Sequence, residues 1–295
     1  MAHIPVLKKE VIGYLDPKPN ENFIDATLGN AGHTLAILEK NGPKGKVLGI
    51  DQDPKQIKNL IANRLIAVCD NFANLKEIAE REKMKEVAGI IFDLGMSSWH
   101  LEESGRGFSF LKEEPLDMRY GDSSRLSAEK ILNYESYQEI ERILREYGEE
   151  KFSRRIAERI VETRRGRPIK TTSQLVEIIK EAVPPRYQHQ KIHYATRTFQ
   201  AIRIAVNEEL ENLRKVLPQA MEILKCRGKI VLISFHSLED RIVKNFLREK
   251  EKENILTIIT KKPVVPTKEE IKINPRSRSA KLRAAEKTCL KQTDI

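Results

Sequence analysis

The run Asp25-Ala26-Thr27-Leu28-Gly29-Asn30-Ala31-Gly32-His33, with Asp51 closing Val47-Leu48-Gly49-Ile50-Asp51, holds the residue types of a nucleotide pocket. Glycines in a turn let backbone N–H groups approach a ligand, and a carboxylate roughly 20 residues on can hold a ribose diol. The full G-x-G-x-x-G spacing is absent, because Gly29 and Gly32 are the only glycines of the turn. A dinucleotide pyrophosphate favours more glycine at that place. A carboxylate such as Asp25 suits a cationic amine instead. S-adenosylmethionine carries that amine and an adenosine ribose for Asp51. Phe72, at a third strand end, would pack on the adenine or belong to the core. Asp51 has a plainer alternative too, as a helix cap.

A second constellation is Phe92-Asp93-Leu94-Gly95-Met96-Ser97-Ser98-Trp99-His100. Were the acceptor of the methyl group an exocyclic amine of a nucleobase, it would be a poor nucleophile, since its lone pair is delocalised into the ring. A group that holds its N–H bonds and takes a proton as charge develops would help. Asp93, Ser97 and backbone carbonyls are the candidates. Trp99 would stack on a base or pack. The run Ile233-Ser234-Phe235-His236-Ser237-Leu238-Glu239-Asp240-Arg241 holds Ser, His and Asp, but neighbours in sequence do not form a triad. No G-x-S-x-G elbow is present. A strand end on the acceptor side is the better reading, with His236 touching RNA or bonding locally.

The elements that would position these groups follow an α/β rhythm over the first hundred residues. Strands are expected at Phe23–Ala26, Lys46–Ile50, Leu65–Val68 and Gly89–Phe92, with helices around Leu35–Glu39, Lys55–Ala62 and Leu75–Lys85. Buried apolar runs alternating with amphipathic stretches predict a doubly wound parallel sheet, whose ligands lie beyond the carboxyl ends of the strands. The rhythm then breaks. Gly105 to Arg119 reads as loop, and helices are expected at Tyr137–Tyr147, Phe152–Arg165, Thr172–Glu181 and Arg197–Leu217. Strand-like sequence returns at Lys229–Ser234 and Ile255–Thr260, so one α/β domain is interrupted by a helical insertion. The expected division is 1–104 with 217–295, and 105–216.

Charge is distributed unevenly. Residues 1–150 hold 20 Lys/Arg against 26 Asp/Glu, whereas 151–215 and 241–295 each hold 15 against 7. Basic regions of that kind suit a polyanion, since Lys and Arg replace phosphate counterions, although solvated helices look similar. Arg106 in Gly105–Phe110, Arg119 in Pro115–Arg119, Arg197 and Arg203 in Tyr194–Arg203 mix cations with aromatics. Arg276 and Arg278 sit in a basic segment read as loop-to-helix, Asn274–Arg283. No apolar run approaches the length of a membrane span, and no secretory signal is evident. Cys69, Cys226 and Cys289 lie far apart and outside any C-x-x-C, which predicts neither disulfide nor metal site and fits a reducing cytoplasm.

With these residues assembled, the chain resembles the ribosomal RNA small subunit methyltransferase H family, also called MraW. The resemblance runs from His3-Ile4-Pro5-Val6-Leu7 to Asn274-Pro275-Arg276-Ser277-Arg278-Ser279. Its most specific blocks are Gly105–Phe110 with Pro115–Arg119, Tyr147-Gly148-Glu149-Glu150, Ala195–Arg203 and Ile233–Val243. It implies a Rossmann-like, S-adenosylmethionine-dependent enzyme that methylates N4 of one cytidine of 16S rRNA near the decoding centre of the small ribosomal subunit. A homodimer is compatible with it. Family cofactor positions carry over to Ala31, Gly32, His33, Asp51, Phe72, Asp93 and His100. The family commonly has Gly at the place of Ala31 and often Gln at that of His100. Among catalytic candidates Asp93 leads, with Ser97 and His236 behind it. A non-catalytic RNA-binding factor would not need the Asp25-to-Asp51 constellation, and a nicotinamide oxidoreductase would have little use for the basic regions.

Overall fold

The chain entropy lost on folding is offset where apolar side chains cover both faces of a sheet, and here the sequence supplies them in two alternating sets. The computed structural model describes residues 4–58, 60, 62–121 and 126–289. In chain order the first part runs α1 (Lys8–Leu15), β1 (Asn22–Asp25), α2 (Gly32–Lys40), β2 (Val47–Asp51), α3 (Pro54–Ile57), β3 (Leu65–Cys69), α4 (Leu75–Arg81) and β4 (Val87–Asp93). Helices follow: α5 (Ser98–Glu102), α6 (Ala128–Tyr134), α7 (Tyr137–Gly148), α8 (Ser153–Gly166), α9 (Thr172–Ala182), α10 (Pro185–Gln188) and α11 (Thr196–Asn207). The last part is α12 (Glu209–Ile223), β5 (Leu224–Ser234), α13 (Ser237–Lys252), β6 (Leu256–Ile258), α14 (Lys268–Ile273) and β7 (Lys281–Lys287).

The strands form one seven-stranded sheet in the order β3-β2-β1-β4-β5-β7-β6. Neighbours from β3 to β5 are parallel, and β7 runs antiparallel between β5 and β6. This is the Rossmann-like α/β class expected from the sequence. Ile24, Leu48, Ile90, Phe92 and Leu232 pack on one face with α4, α12 and α13. Phe23, Val47, Ile91, Val231 and Ile233 pack on the other with α1 and α2. Burial on both faces explains why the strands read as continuous apolar runs. The chain leaves β1 towards β2 and β3, then returns to place β4 on the other side of β1. That reversal makes the β1/β4 boundary the topological switch point, where such sheets bind ligands.

Two compact units result: one holds the chain up to Gly95 and from Leu210 onward, the other Met96–Glu209. These edges differ from 104/105 and 216/217 because Met96 and Leu101 pack into the core of the helical unit, whereas Leu213, Val216 and Leu217 pack on the sheet. The expected helix Arg197–Leu217 is broken at Glu208, whose φ is 50°. Beside the break, buried Asn207 bonds the Met118 carbonyl and the Tyr120 N–H (2.7 and 2.9 Å). The expected helix from Lys55 stops at Ile57; residues 59 and 61 of that expectation, like His3, lie outside the described residues.

Two expectations are corrected. The segment read as loop-to-helix ends in strand β7, because pairing with strands on both sides overrides the weak strand preference of Lys281-Leu282-Arg283-Ala284-Ala285-Glu286-Lys287. That pairing also explains a disulfide, Cys226–Cys289, where none was expected. The β5/β7 register sets Lys229 opposite Glu286, and continuing it sets 226 opposite 289. Spacing along the chain could not show this without the missing strand. Among the described residues no helix is long and apolar enough to cross a membrane.

Gly49 fixes how closely the first turn approaches the sheet. A Cβ there would stand 2.6 Å from Leu28 Cδ1 and 2.9 Å from Cδ2. Gly49→Ala is therefore expected to lower stability by about 1–3 kcal/mol, the usual cost of overpacking, in chemical denaturation. An unchanged midpoint would mean that Leu28 is not held.

Candidate active site

The turn after β1 is assembled by its own polar groups. Thr27 N–H donates to Asp25 Oδ1 (3.2 Å), an Asx turn, and the Thr34 hydroxyl of α2 donates to Asp25 Oδ2 (2.7 Å). Gly29 adopts φ 47° and its N–H donates to Asp51 Oδ2 (2.9 Å). Ala31, the residue preceding α2, has φ 58°. A side chain in this left-handed region costs about 1–2 kcal/mol, a cost that glycine would not incur. Gly32 is required by packing: a Cβ would stand 2.2 Å from Pro5 Cγ.

Three carboxylates lie at the carboxyl ends of adjacent strands. Asp25 pairs with Gly49 on one side and Ile91 on the other, so Asp51 and Asp93 each lie two residues further along their strands. Asp51 is held by Gly29 N–H and, at Oδ1, by Asp53 N–H (2.9 Å), while Asp53 caps α3. Asp25 is buried, and its burial pushes its pKa up; His33 nearby and the Thr34 and Thr27 hydrogen bonds oppose that shift without cancelling it. Asp93 is tied through its backbone, whose N–H donates to Thr27 Oγ1 (2.6 Å). Its Oδ2 lies 3.5 Å from His33 Nε2. Asp93 Oδ1 and both ring nitrogens of His33 are buried with no hydrogen-bond partner among the described residues.

Phe72 stands just beyond β3 in a short 3₁₀ turn capped by Asn71, and meets Phe92 edge-on at 6.1 Å. It is half-buried, so one side rests on the core and the other is accessible. His236 caps α13, with Nε2 3.2 Å from Glu239 Oε1, and Glu239 Oε2 accepts from Phe235 N–H (2.8 Å). Nearby, Asp240 joins α13 to β7 through Arg283 (2.7 Å). Burial works against the Asp240 carboxylate, but Arg283 and Lys281 outweigh it and hold its pKa below the ordinary range.

In the helical unit, Ser97 and His100 form a capping box on α5, with Ser97 Oγ 2.9 Å from His100 Nδ1. The buried His100 ring lies between Trp99, Phe108 and Tyr120 at 5.0–5.3 Å. Arg106 donates to the carbonyls of Arg119 and Tyr120 (3.1 and 2.8 Å), and Arg119 pairs with Asp117 (2.6 Å). Arg203 is buried and forks onto Glu209 (2.8 Å twice), while Arg197 donates to the Glu149 carbonyl (2.5 Å). These arginines hold the fold of their unit. Arg276 and Arg278 are exposed, on the turn before β7.

The sheet unit thus gathers Asp25, Ala31, Gly32, His33, Asp51, Asp93 and Phe72 around one switch point. The sequence reading did not foresee the parts played by Thr27 and Thr34. An Asp-x-Thr at a strand end is the usable signal for the first; only the fold brings in the second. The set fits S-adenosylmethionine: buried, unmatched acceptor capacity on Asp93 suits positive charge, and a pinned carboxylate suits a ribose diol.

Against known proteins, a sequence model of the MraW methylase family matches residues 1–288. A relative from Heliobacterium mobile named ribosomal RNA small subunit methyltransferase H is 44% identical, over 97% of this chain and 98% of its own. Proteins of the same name from Clostridium botulinum (strain Kyoto / Type A2) and Halothermothrix orenii are 47% and 45% identical, each over 97% of this chain and 98% and 99% of theirs.

Because Asp25 has a raised pKa when folded, the native state holds its proton more tightly than the unfolded chain does. Its contribution therefore favours folding at low pH and is lost as pH rises through the folded value. Asp25→Asn should match the parent protein in melting temperature below the ordinary carboxylate range and exceed it towards neutral pH. Parallel melting curves at every pH would show that Asp25 carries no such cost.

Proposed function

The chain belongs to the MraW methylase family and is an S-adenosylmethionine-dependent methyltransferase; from that premise we propose that it methylates N4 of a cytidine in 16S rRNA. The small ribosomal subunit, near its decoding centre, is the substrate setting, and the cytoplasm its place. The observation that carries this reading is Asp93 Oδ1, a buried acceptor without a partner among the described residues, at the end of β4.

S-adenosylmethionine supplies, when bound, a methyl group already activated on a sulfonium sulfur. What remains for the protein is positioning and exclusion of water. Asp51, set in place by two backbone N–H groups, would hold the ribose diol. Asp25 and Asp93 counter positive charge. Phe72 gives adenine an apolar surface. Asp93 Oδ1 accepts a hydrogen bond from N4 and takes its proton as the amine becomes cationic, which keeps the lone pair aimed at the methyl carbon. Ser97 and His236 are secondary: each side chain already serves a helix cap. A base inside an RNA stack has to swing out to reach such a group. Arg276 and Arg278 are the exposed cations best suited to RNA phosphates, and Arg106, Arg119, Arg197 and Arg203 act chiefly by shaping the helical unit.

The direct experiment is transfer of labelled methyl to small subunits lacking their modifications, followed by nucleoside mass analysis. Label in N4-methylcytidine is expected; label in another nucleoside would refute the acceptor. Asp51→Ala should weaken S-adenosylmethionine binding at least roughly tenfold in calorimetry, the scale of a lost charge-assisted hydrogen bond. The fold should persist by circular dichroism. Unchanged affinity would remove Asp51 from the ribose site.

A further inference from the structure

His33 is an expensive residue to bury. It is 5% exposed, and a neutral imidazole brings one donor and one acceptor, each of which needs a partner in the interior. Neither ring nitrogen has one among the described residues. The charged groups facing it are Asp93 from β4, with Oδ2 3.5 Å from Nε2, and Asp25 from β1. The first distance is several tenths of an ångström beyond an ordinary N–H···O bond of about 2.9–3.0 Å. Asp25 is already engaged by Thr27 and Thr34, while Asp93 is held through its backbone, by Thr27 and by strand pairing. Among the described residues the Asp93 carboxylate accepts no hydrogen bond that would set its rotamer, and His33 Nε2 stands 3.5 Å from it. Catalytic hydrogen bonds are often long in ligand-free proteins and tighten in the complex.

We propose that the His33 ring is a positioning residue for Asp93: Nε2–H closes on Oδ2 when ligand binds, aiming Oδ1 at the acceptor amine. This goes beyond contact with cofactor, and it rests on the N4 reading above. As N4 bonds to the methyl carbon, the carbon–sulfur bond breaks with its electron pair left on sulfur. The proton leaving N4 goes to Asp93 Oδ1, and from there to water after product departs. His33 keeps its own proton throughout; its part is to hold the carboxylate by the other oxygen, as outer-shell partners of catalytic groups do.

Two variants and a spectroscopic readout test this. His33→Phe fills the site without a donor, and His33→Gln places an amide N–H near the position of Nε2. The phenylalanine variant should lose roughly 10–100-fold in kcat, a larger factor than it loses in KM or in calorimetric affinity for S-adenosylhomocysteine. The glutamine variant should recover most of the loss. In the full-length protein, a slowly exchanging imidazole N–H resonance should appear on adding S-adenosylhomocysteine and be absent from Asp93→Ala. A loss carried by KM and by S-adenosylhomocysteine affinity, without rescue by glutamine, would overturn the proposal and leave His33 as packing for the cofactor. So would a resonance indifferent to Asp93. Should the parent enzyme label an atom other than N4, the acceptor reading fails, and the resonance still decides the His33–Asp93 pairing.

Discussion

Carboxylates at the ends of neighbouring parallel strands repel one another, and their accommodation shapes the turns around the switch point. Asp25, Asp51 and Asp93 emerge from β1, β2 and β4, adjacent in the sheet. Each needs donors. Thr27 and Thr34 serve Asp25, which fixes the turn and the start of α2. Gly29 and Asp53 serve Asp51, which closes the turn onto β2 and starts α3. Asp93 is secured through its backbone, by a hydroxyl of the same turn. The donors are thus distributed unevenly, and the carboxylate with the least satisfied side chain stands at the end of β4. On the proposed function, a cationic ligand would complete what the protein leaves open there.

Placing negative charge in a site shielded from water costs stability, and burial raises the pKa of Asp25 accordingly. Shape alone does not require a carboxylate at that position, since asparagine has the same outline; what it would lose is the second acceptor, at which the Thr34 hydroxyl donates. Retention of the charge is understandable when a bound cation offsets it, since low dielectric strengthens the attraction as much as it penalises the lone ion. The same reasoning accounts for His33, whose ring is costly alone and useful beside Asp93.

Much of this was legible in the chain. The first strands appear as apolar runs because both their faces are covered, and an acidic residue at or just past the end of each marks the crevice. Asp51 and Asp93 could be found that way. Strand β7 could not: Ala284 and Ala285 carry little strand preference, and only pairing with β5 and β6 makes them a strand. The Cys226–Cys289 link was hidden with it. Arg203 read as part of a nucleic-acid surface because composition does not distinguish an exposed cation from one turned inward, as this one is on Glu209. His33 was legible as a member of the turn but not as a neighbour of Asp93, since the two are far apart in sequence and meet only through the β1/β4 pairing.

The central claim is that the strand-end carboxylates are matched to a positively charged ligand. Calorimetry of S-adenosylmethionine binding in buffers of different ionisation enthalpy, across a pH series rising from the ordinary carboxylate range to neutrality, tests it most directly. A cation arriving beside Asp25 lowers the raised pKa of that carboxyl, so binding should release protons, and the release should vanish in Asp25→Asn. Binding with no net proton release, or with uptake, would contradict the account.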